Sequence, residues 1–503
     1  MRFLRRNVFW VYAVYAASVL SGLVTTRILL DGLGTDGFGL WAVIGSLTAY
    51  LALLDLGVGP SVVRFGAEYR GRRSLEDTNA LASVGLAIYA AIGAATLILG
   101  AALAWLLPLL VEIPDDLLWP ARLAVLIVVA GLAARFPLGL FGNLLAAQQR
   151  SDVLNIAGVV STLAYAVAVV VVFASGGGLV EVALIALGST LIRLVLPLAW
   201  LRRELPALRP RLSLVTRRRA RELLSVSGDN LLIHIGARVV FSTDVVVVGV
   251  LLGPEAAAFY AIPARLFALA FGMGTAGTNL LYPAFAELEG AEEPVRQRVY
   301  LRSGLRGGMA AMLFVALPLL LLPDHLITAW IGRELGPSTW VMILLALGLF
   351  LHQPVHVLSQ YLIARGQQRP LVRILVVTVL LNVALSIALA LTVGLWGVAL
   401  ATVLAELLAV ALVPRLTSRV SGVPLASLAR SALRPVLPAV ALAVPTLLVL
   451  GRWLWVRDDL LALAPLGLLW IAAFVPALWL LGLDRGERAA LGRKLRPGRL
   501  AAG

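Results

Sequence analysis

Residues 152–201 read DVLNIAGVVSTLAYAVAVVVVFASGGGLVEVALIALGSTLIRLVLPLAWL, and this stretch decides the fold class. It contains two apolar runs, 152–174 and 179–201, and a membrane-spanning helix needs about 20 such residues. Only the short turn Gly176-Gly177-Gly178 lies near their junction. We therefore interpret the stretch as two consecutive spans joined by a tight connection.

The rest of the chain has the same apolar character. Of its 503 residues, 60% are hydrophobic and 14% are charged, whereas a soluble domain carries about 25% charged residues. The sequence therefore predicts an all-α polytopic membrane protein with fourteen transmembrane helices, of which 307–323 and 433–450 have the weakest signal. The predicted spans are 8–30, 38–65, 79–107, 122–145, 152–174, 179–201, 222–252, 256–285, 307–323, 340–364, 371–393, 395–414, 433–450 and 460–483.

The charged residues support this number of spans independently. With the N-terminus in the cytoplasm, the arginine-rich connections, such as 202–221, all fall on the inside. The outer connections, such as 112–116, are short and acidic or neutral. This asymmetry is the positive-inside rule, so the net charge of +15 indicates a membrane and not nucleic acid. We predict that both termini are cytoplasmic.

Three further absences limit the function. No connection exceeds about thirty residues, which leaves no room for a soluble catalytic domain of ordinary size. The sequence has no cysteine and no P-loop motif, so thiol chemistry and ATP hydrolysis by this chain are excluded. We predict a protein that is not an enzyme and has no cofactor, with coupling to protons or sodium left open.

An internal repeat organises the spans. Residues 33–42 read LGTDGFGLWA and residues 252–261 read LGPEAAAFYA, an offset of 219. The same offset brings Gln148-Gln149-Arg150 onto Gln367-Gln368-Arg369. Six spans per repeat give two lobes of parallel topology, which face each other around a central cavity in transporters. The predicted parts are an N-terminal six-helix lobe at 1–215, a C-terminal six-helix lobe at 216–420, and two additional helices with a basic cytoplasmic tail at 421–503.

Three motifs resemble those of a known family. Residues 27–71 read RILLDGLGTDGFGLWAVIGSLTAYLALLDLGVGPSVVRFGAEYRG, residues 245–266 read VVVVGVLLGPEAAAFYAIPARL, and LLAAQQR ends at Arg150. Together they resemble polysaccharide flippases of the Wzx type, in the multidrug/oligosaccharidyl-lipid/polysaccharide exporter superfamily. The resemblance covers most of residues 1–415 and leaves the last two spans without a motif.

The resemblance implies a function and its partners. Proteins of this type move undecaprenyl-diphosphate-linked oligosaccharide repeat units across the inner (cytoplasmic) membrane by alternating access, in polysaccharide or lipopolysaccharide biosynthesis. The implied partners are a polyprenyl-diphosphate-linked glycan, the lipid bilayer and possible polysaccharide polymerases.

Other functions remain open at this point. A peptidoglycan-precursor flippase has the same number of spans, whereas a drug/cation antiporter of the superfamily has fewer. A membrane polysaccharide polymerase or glycosyltransferase needs a large outer loop or an acidic motif, for which Glu112-Ile-Pro-Asp115-Asp116 is the one candidate.

Arginines inside the spans are the candidates for substrate binding. Charge inside a membrane costs about 2.5–3.5 kcal/mol on translocon scales, so it indicates a function by default. Arginine also suits a diphosphate, because its planar fork binds phosphate oxygens bidentately. The first candidates, which the family resemblance also favours, are Arg27, Arg64 and Arg265, followed by Arg238 and Arg135.

Carboxylates and histidines inside the spans are candidates for ion coupling. Asp55, Asp244 and Glu406 are the predicted ion-coupling residues. For Asp55, beside Gly57, Gly59 and Pro60, we favour a structural role, bonded to backbone N–H groups freed by a helix break. His352 and His356 share one helix face, and without a nearby carboxylate we interpret them as packing residues and not as metal ligands.

Overall fold

The computed structural model describes residues 2–55, 57–436, 440–441, 445–449 and 463–477. Within these ranges, the side chains of residues 2–13, 15, 225–242, 280, 463–464, 466 and 477 are not described. Contacts divide the chain into two compact units, Met1–Ala261 and Ile262–Gly503. We refer to them as unit 1 and unit 2 and describe each separately.

The described residues form helices almost throughout. The helices that begin in unit 1 are α1 (Arg2–Leu51), α2 (Val58–Gly71), α3 (Leu75–Leu110), α4 (Asp115–Ala147), α5 (Ser151–Ala174), α6 (Leu179–Glu204) and α7 (Arg217–Ala276). Those of unit 2 are α8 (Leu281–Gly290), α9 (Pro294–Leu321), α10 (Pro323–Ile331), α11 (Gly336–Ala364), α12 (Gln368–Val393), α13 (Leu395–Ser421), α14 (Leu425–Leu433) and α15 (Leu463–Ala477).

Within the described part of the chain, ten helices are long and apolar enough to cross a membrane. Two of these apolar segments combine several of the helices above. Ala16–Gly71, from within α1 to the end of α2, has 56 residues, and Thr243–Gly290, from within α7 to the end of α8, has 48. At 1.5 Å per residue they extend over about 84 and about 72 Å, more than twice a hydrocarbon core of about 30 Å. Each of them therefore accounts for two predicted spans. The predicted spans 433–450 and 460–483 lie partly outside the described residues, so the number fourteen stays a prediction.

The backbone breaks of the two long helices reveal the internal repeat. Helix α1 is interrupted at Gly34, with φ 70° and ψ 177°, and α7 at Gly253, with φ 89° and ψ 173°. These two glycines are separated by the predicted offset of 219, in a backbone region that other residues avoid. Arg73 and Glu292, at the same offset, both have φ 54°. The repeat seen in the sequence is thus present in the backbone.

One part of the sequence alignment needs a correction. The turn after α4 has its positive φ at Gln149, and the turn after α11 has it at Gly366, an offset of 217. The Gln-Gln-Arg match at offset 219 therefore joins residues that are displaced by two positions in the structure. The connections before α4 and α11 also differ, because unit 2 has the short helix α10 at this point.

In unit 1, the first part of α7 packs closely against α1. A Cβ atom at Gly39 would lie 1.7 Å from the Pro254 carbonyl oxygen, so only glycine permits this approach. Further along, the hydroxyls of Tyr50 and Thr243 are 2.6 Å apart. This packing groups residues 217–261 with unit 1, whereas the lobe boundary at 215 was drawn from the sequence repeat and stays a prediction.

In unit 2, the C-terminal helix α15 is fixed to α9 by a specific hydrogen bond. Pro318 has no N–H, so the carbonyl of Phe314 loses its helical donor. The indole Nε1–H of Trp470 donates to that oxygen at 2.9 Å. The rings of Trp470 and Phe474 also pack on Phe314, with centroids 6.1 and 5.3 Å away. This helix is therefore an integral part of unit 2.

The two ends of the helices differ in chemistry. The ends that adjoin the arginine-rich connections, around 70–73, 148–150 and 202–221 in unit 1 and 291–298 and 365–369 in unit 2, are called the basic ends below. At the opposite end of α3 and α4, Trp105 and Trp119 are each 60% exposed, and Arg122 stacks on both rings. Exposed tryptophans at helix ends are typical of membrane interfaces.

Candidate functional site

Unit 1 contains a polar cavity of about 200 Å³ at a break in the second predicted span. Helix α1 ends at Leu51, a 3-10 turn follows over Ala52–Asp55, and α2 begins at Val58. Gly57 precedes α2 with a φ of 74°, which favours glycine. The helix break predicted around Asp55 is therefore confirmed. Asp55, Tyr89, Arg135 and Asn143 form the polar part of the cavity wall.

Hydrogen bonds connect the polar residues of this cavity. The hydroxyl of Tyr89, on α3, donates to Oδ1 of Asp55 at 2.7 Å. Asn143, on α4, hydrogen-bonds the same hydroxyl, and Arg135 is close enough to act on it electrostatically. A Cβ atom at Gly59 would lie 3.1 Å from Nδ2 of Asn143 and 3.3 Å from Oη of Tyr89. Glycine at this position therefore leaves room for the cluster.

The cavity joins two predictions that were made separately. Asp55 was predicted to couple an ion and Arg135 to bind substrate, and both line the same space. The favoured partner of Asp55 was the freed backbone, whereas the structure gives its carboxylate a tyrosine hydroxyl. Tyr89 was missed because it is 34 residues away on another helix, where no local pattern indicates the contact.

Arg27 and Arg64 lie near helix ends. The guanidinium Nε of Arg27 is 3.8 Å from Oδ2 of Asp31, with side chains 45% and 56% exposed. Arg64 lies over the ring of Phe65 at 5.9 Å. Arg27 is seven residues before the break at Gly34, and Arg64 is seven residues before the last residue of α2. Seven residues correspond to about 10 Å along a helix. Both can therefore reach an interface by snorkelling.

Arg135 and Arg265 lie deeper. Arg135 is twelve residues before the end of α4, and Arg265 is twelve residues after the break at Gly253. Twelve residues correspond to about 18 Å of helix, close to the middle of a core about 30 Å thick. Both arginines are exposed, one in each unit. An exposed charge at this depth is costly against lipid, which indicates that it faces water.

The remaining predicted residues of α7 have different positions. Asp244 is 5% exposed, and its Oδ2 accepts a hydrogen bond of 2.7 Å from the hydroxyl of Tyr260. Its carboxylate therefore belongs to the buried packing of unit 1. The side chain of Arg238 lies outside the described residues, so its predicted contact with substrate stays a prediction.

Unit 2 contains a second polar cluster, centred on α11. Nδ1 of His352 is 3.1 Å from Oε1 of Glu406 on α13. Nε2 of His356 is 3.1 Å from Oδ1 of Asn279, in the 3-10 turn Thr278–Leu280 before α8. The ring of Phe271 packs on both histidines, with centroids 5.3 and 6.5 Å away.

This cluster corrects one prediction. The expectation that no carboxylate lies near His352 is wrong, because Glu406 is its partner. The interpretation of His352 as a packing residue stays a prediction. The two residues are 54 positions apart, so the sequence shows each of them but not their contact. Among the described residues, no group of three or more histidines, cysteines or carboxylates could hold a metal ion.

The basic ends carry ion pairs within each unit. In unit 1, Arg150 pairs with Glu204 and Asp152 and stacks over the ring of Trp200 at 5.1 Å. In unit 2, Arg365 pairs with Glu289, and this hydrogen bond raises the pKa of Arg365. These arginines are bound to carboxylates, unlike a free basic patch for an anionic ligand.

Comparisons with known proteins agree with this architecture. A family model described as "Polysaccharide biosynthesis protein" matches residues 4–289. The structure is similar to that of a lipid II flippase, MurJ, in an inward closed conformation, with a TM-score of 0.71 at 13% identity over 94% of this chain and 99% of that one. A search of the curated proteins found no match.

Two transporters of the MOP superfamily are also similar. An inward-facing multidrug resistance transporter of the MATE family gives a TM-score of 0.65 at 14% identity, over 82% of this chain and 96% of that one. A transporter from Pyrococcus furiosus gives 0.57 at 15% identity, over 84% and 95%. The apolar helices and the likeness to these folds show a multi-pass membrane protein and confirm the predicted all-α membrane fold, while the number of fourteen helices stays a prediction.

Proposed function

The chain belongs to the polysaccharide biosynthesis protein family, and from this premise we propose that it is a flippase for polyprenyl-diphosphate-linked oligosaccharide repeat units. The predicted resemblance to Wzx-type flippases is consistent with this family and with the transporter fold. The proposed membrane is the cytoplasmic one, with both termini inside. Alternating access of two lobes moves the substrate between the two sides.

The observation that carries the proposal is the pair of deep, exposed arginines. Arg135 and Arg265 stand about 18 Å along their helices, one in each unit, at a depth where an exposed charge must face water. A diphosphate carried through the membrane needs such permanent cations, and a guanidinium binds phosphate oxygens with two parallel hydrogen bonds. Arg27, Arg64 and Arg238 are proposed to contact the diphosphate nearer the entrance and the exit.

Asp55 gives the unit 1 cavity a defined charge. Its carboxylate lines the same cavity as the guanidinium of Arg135, and the hydroxyl of Tyr89 fixes its orientation. A cavity whose polar groups are fixed by hydrogen bonds is pre-organised for an anionic ligand. Ion coupling by Asp55, Asp244 or Glu406 remains part of the proposal, and so does contact with a polysaccharide polymerase.

A peptidoglycan-precursor flippase is the second candidate. The match to the lipid II flippase extends over 94% of this chain, whereas the match to the MATE transporter covers 82%. The greater coverage favours a flippase over a drug/cation antiporter. Both flippase functions require an anion-binding cavity, so the substrate distinguishes them.

Complementation distinguishes these functions. The full-length chain is expressed in one strain that lacks its oligosaccharide flippase and in another that lacks its lipid II flippase. We expect surface polysaccharide to return in the first strain and viability not to return in the second. The opposite pattern supports the second candidate, and failure in both strains overturns the flippase proposal.

Substitutions connect the result to the site. Arg135→Gln and Arg265→Gln should each abolish complementation while the protein still inserts into the membrane. Arg72→Gln is the matched control, because Arg72 lies at the basic end, 65% exposed and paired with Glu68. Full complementation by both the Arg135→Gln and the Arg265→Gln variants would contradict the role of the deep arginines.

A further inference from the structure

The polar cluster of unit 2 follows one face of α11. His352, His356 and Gln360 are spaced by four residues, and such residues lie one above the other on a helix. Nε2 of Gln360 is 3.4 Å from Nε2 of His356 and 3.5 Å from Oδ1 of Asn279. The face thus leads in helical turns from the basic end of α11 to His352, near the middle of the helix.

The partner of His352 determines the state of its ring. A carboxylate only accepts hydrogen bonds, so an ionised Glu406 requires the proton of the neutral imidazole to be on Nδ1. Nε2 is then the nitrogen that can receive a further proton. The side chains of His352 and Glu406 are 30% and 15% exposed, so the pair is neither fully buried nor fully solvated.

The groups that face His352 identify the charges that act on it. From α13 the facing group is Glu406, and from α11 itself it is His356. Phe271 covers the ring, and the 3-10 turn contributes the neutral Asn279 to the neighbouring histidine. Helix α9 packs against α11 through Gly304 and Gly308, which face Val357 and Gln353.

The internal repeat places a cation at the equivalent position of unit 1. His352 is twelve residues before the end of α11, and Arg135 is twelve residues before the end of α4. Pro354 and Pro137 each follow two residues later. The position that carries a permanent charge in unit 1 therefore carries a titratable one in unit 2.

We propose that the His352–Glu406 pair binds the proton that is coupled to transport. Without the proton, neutral His352 and ionised Glu406 have a net charge of −1. When a proton from water binds Nε2 of His352, the pair becomes an imidazolium and a carboxylate with a net charge of zero. A net charge inside the membrane is costly, so the energy of the pair differs between its deprotonated and its protonated form. Proton binding can therefore shift the equilibrium between conformations that stabilise the two forms differently. The coupling role rests on the proposed transport function, whereas proton binding by the pair does not.

Proton counting tests the binding without any substrate. The purified full-length protein in nanodiscs receives an acid pulse from about pH 8 to about pH 5, the range in which histidine titrates. We expect His352→Gln and Glu406→Gln each to take up one proton fewer per chain than the unsubstituted protein. The double variant should also lose one proton and not two, because the two residues form a single site.

His325→Gln provides the matched control. His325 lies on α10, outside the cluster, so whatever change in the proton count His325→Gln causes should simply add to that of Glu406→Gln in the double variant. If His352→Gln and Glu406→Gln are additive in the same way, or if Glu406→Gln changes nothing, the shared proton site is overturned. A retained circular dichroism spectrum shows that each variant is folded.

Transport measurements test the coupling. In liposomes with a lipid-linked oligosaccharide, a protonophore should slow transport by the unsubstituted protein and by His325→Gln about 5- to 150-fold, the usual size of coupling between sites. It should leave the residual transport of Glu406→Gln unchanged. An equal protonophore effect on Glu406→Gln overturns the coupling. Absence of transport by the unsubstituted protein contradicts the proposed function, while the proton count still decides whether the pair is a proton site.

Discussion

The polar centres of units 1 and 2 occupy the same place in the repeat but have different chemistry. In unit 1, Arg135 on α4 shares a cavity with Asp55 at a helix break. In unit 2, His352 on α11 contacts Glu406 on α13. Arg135 and His352 are each followed two residues later by a proline. Each also lies twelve residues before the end of its helix.

The difference shows what a duplicated membrane fold retains. The positive φ values at Gly34 and Gly253, and at Arg73 and Glu292, are nearly the same, because each pair makes the same turn between spans. The polar side chains differ between the two units, Arg135 and Asp55 in one and His352 and Glu406 in the other. An always-charged arginine suits a diphosphate, and a histidine suits a proton. The two units can therefore divide these two tasks.

The largest effect is expected when the titratable His352 of unit 2 is replaced by a residue with a permanent charge. His352→Arg gives the unit 2 pair a fixed net charge of zero, so proton binding no longer changes it. We expect transport to fall about 100-fold, within the range of coupling between sites. Complementation and liposome transport measure the loss, with His325→Gln as the control. Transport at the rate of the unsubstituted protein would contradict the proposed difference between Arg135, which binds an anion, and His352, which binds a proton.

The reverse substitution replaces the permanently charged Arg135 of unit 1 by a titratable residue. Arg135→His should bind the anion only when the imidazole is protonated, so transport should persist near pH 5 and fall about tenfold near pH 8. The pH profile of transport measures this change, and Arg135→Lys, which retains a cation, serves as the control. A profile like that of the unsubstituted protein would contradict the role of Arg135.

A smaller effect should follow from removing the hydrogen bond between Tyr89 and Asp55. Tyr89→Phe removes the hydroxyl that donates to the partly exposed carboxylate of Asp55. We expect the free energy of unfolding to fall by about 1 kcal/mol. Thermal unfolding in detergent measures the change. Tyr282→Phe is the control, because that ring is 41% exposed. Equal midpoints for the two variants would show that the bond does not stabilise unit 1.

The smallest effect concerns the attachment of α15 in unit 2. Trp470→Phe keeps an aromatic ring against Phe314 but loses the donor to its carbonyl, at an expected cost of about 1 kcal/mol or less. Trp340→Phe, with a ring that is 61% exposed, is the control in the same unfolding measurement. An unchanged midpoint for Trp470→Phe would indicate that water or lipid motion compensates for the lost bond.

Much of the fold was predictable because its signals are local. Apolar runs, prolines and glycine turns lie next to each other in the sequence, and the break at Gly57 followed from them directly. The contacts of Asp55 with Tyr89 and of His352 with Glu406 were not predictable, because they join different helices. A shift of two positions between the repeats also hid the equivalence of Arg135 and His352. This equivalence required the positions of the helix ends.

The bond between Trp470 and Phe314 has a consequence for shortening the chain. Pro318 leaves a backbone oxygen without its helical donor in a membrane-spanning segment, and an indole from far along the sequence supplies the replacement. A truncation before Leu463 would remove that donor and leave the oxygen facing hydrocarbon. Helix α15 is therefore not a detachable module. A shorter transporter built from this chain would also need an ordinary residue in place of Pro318.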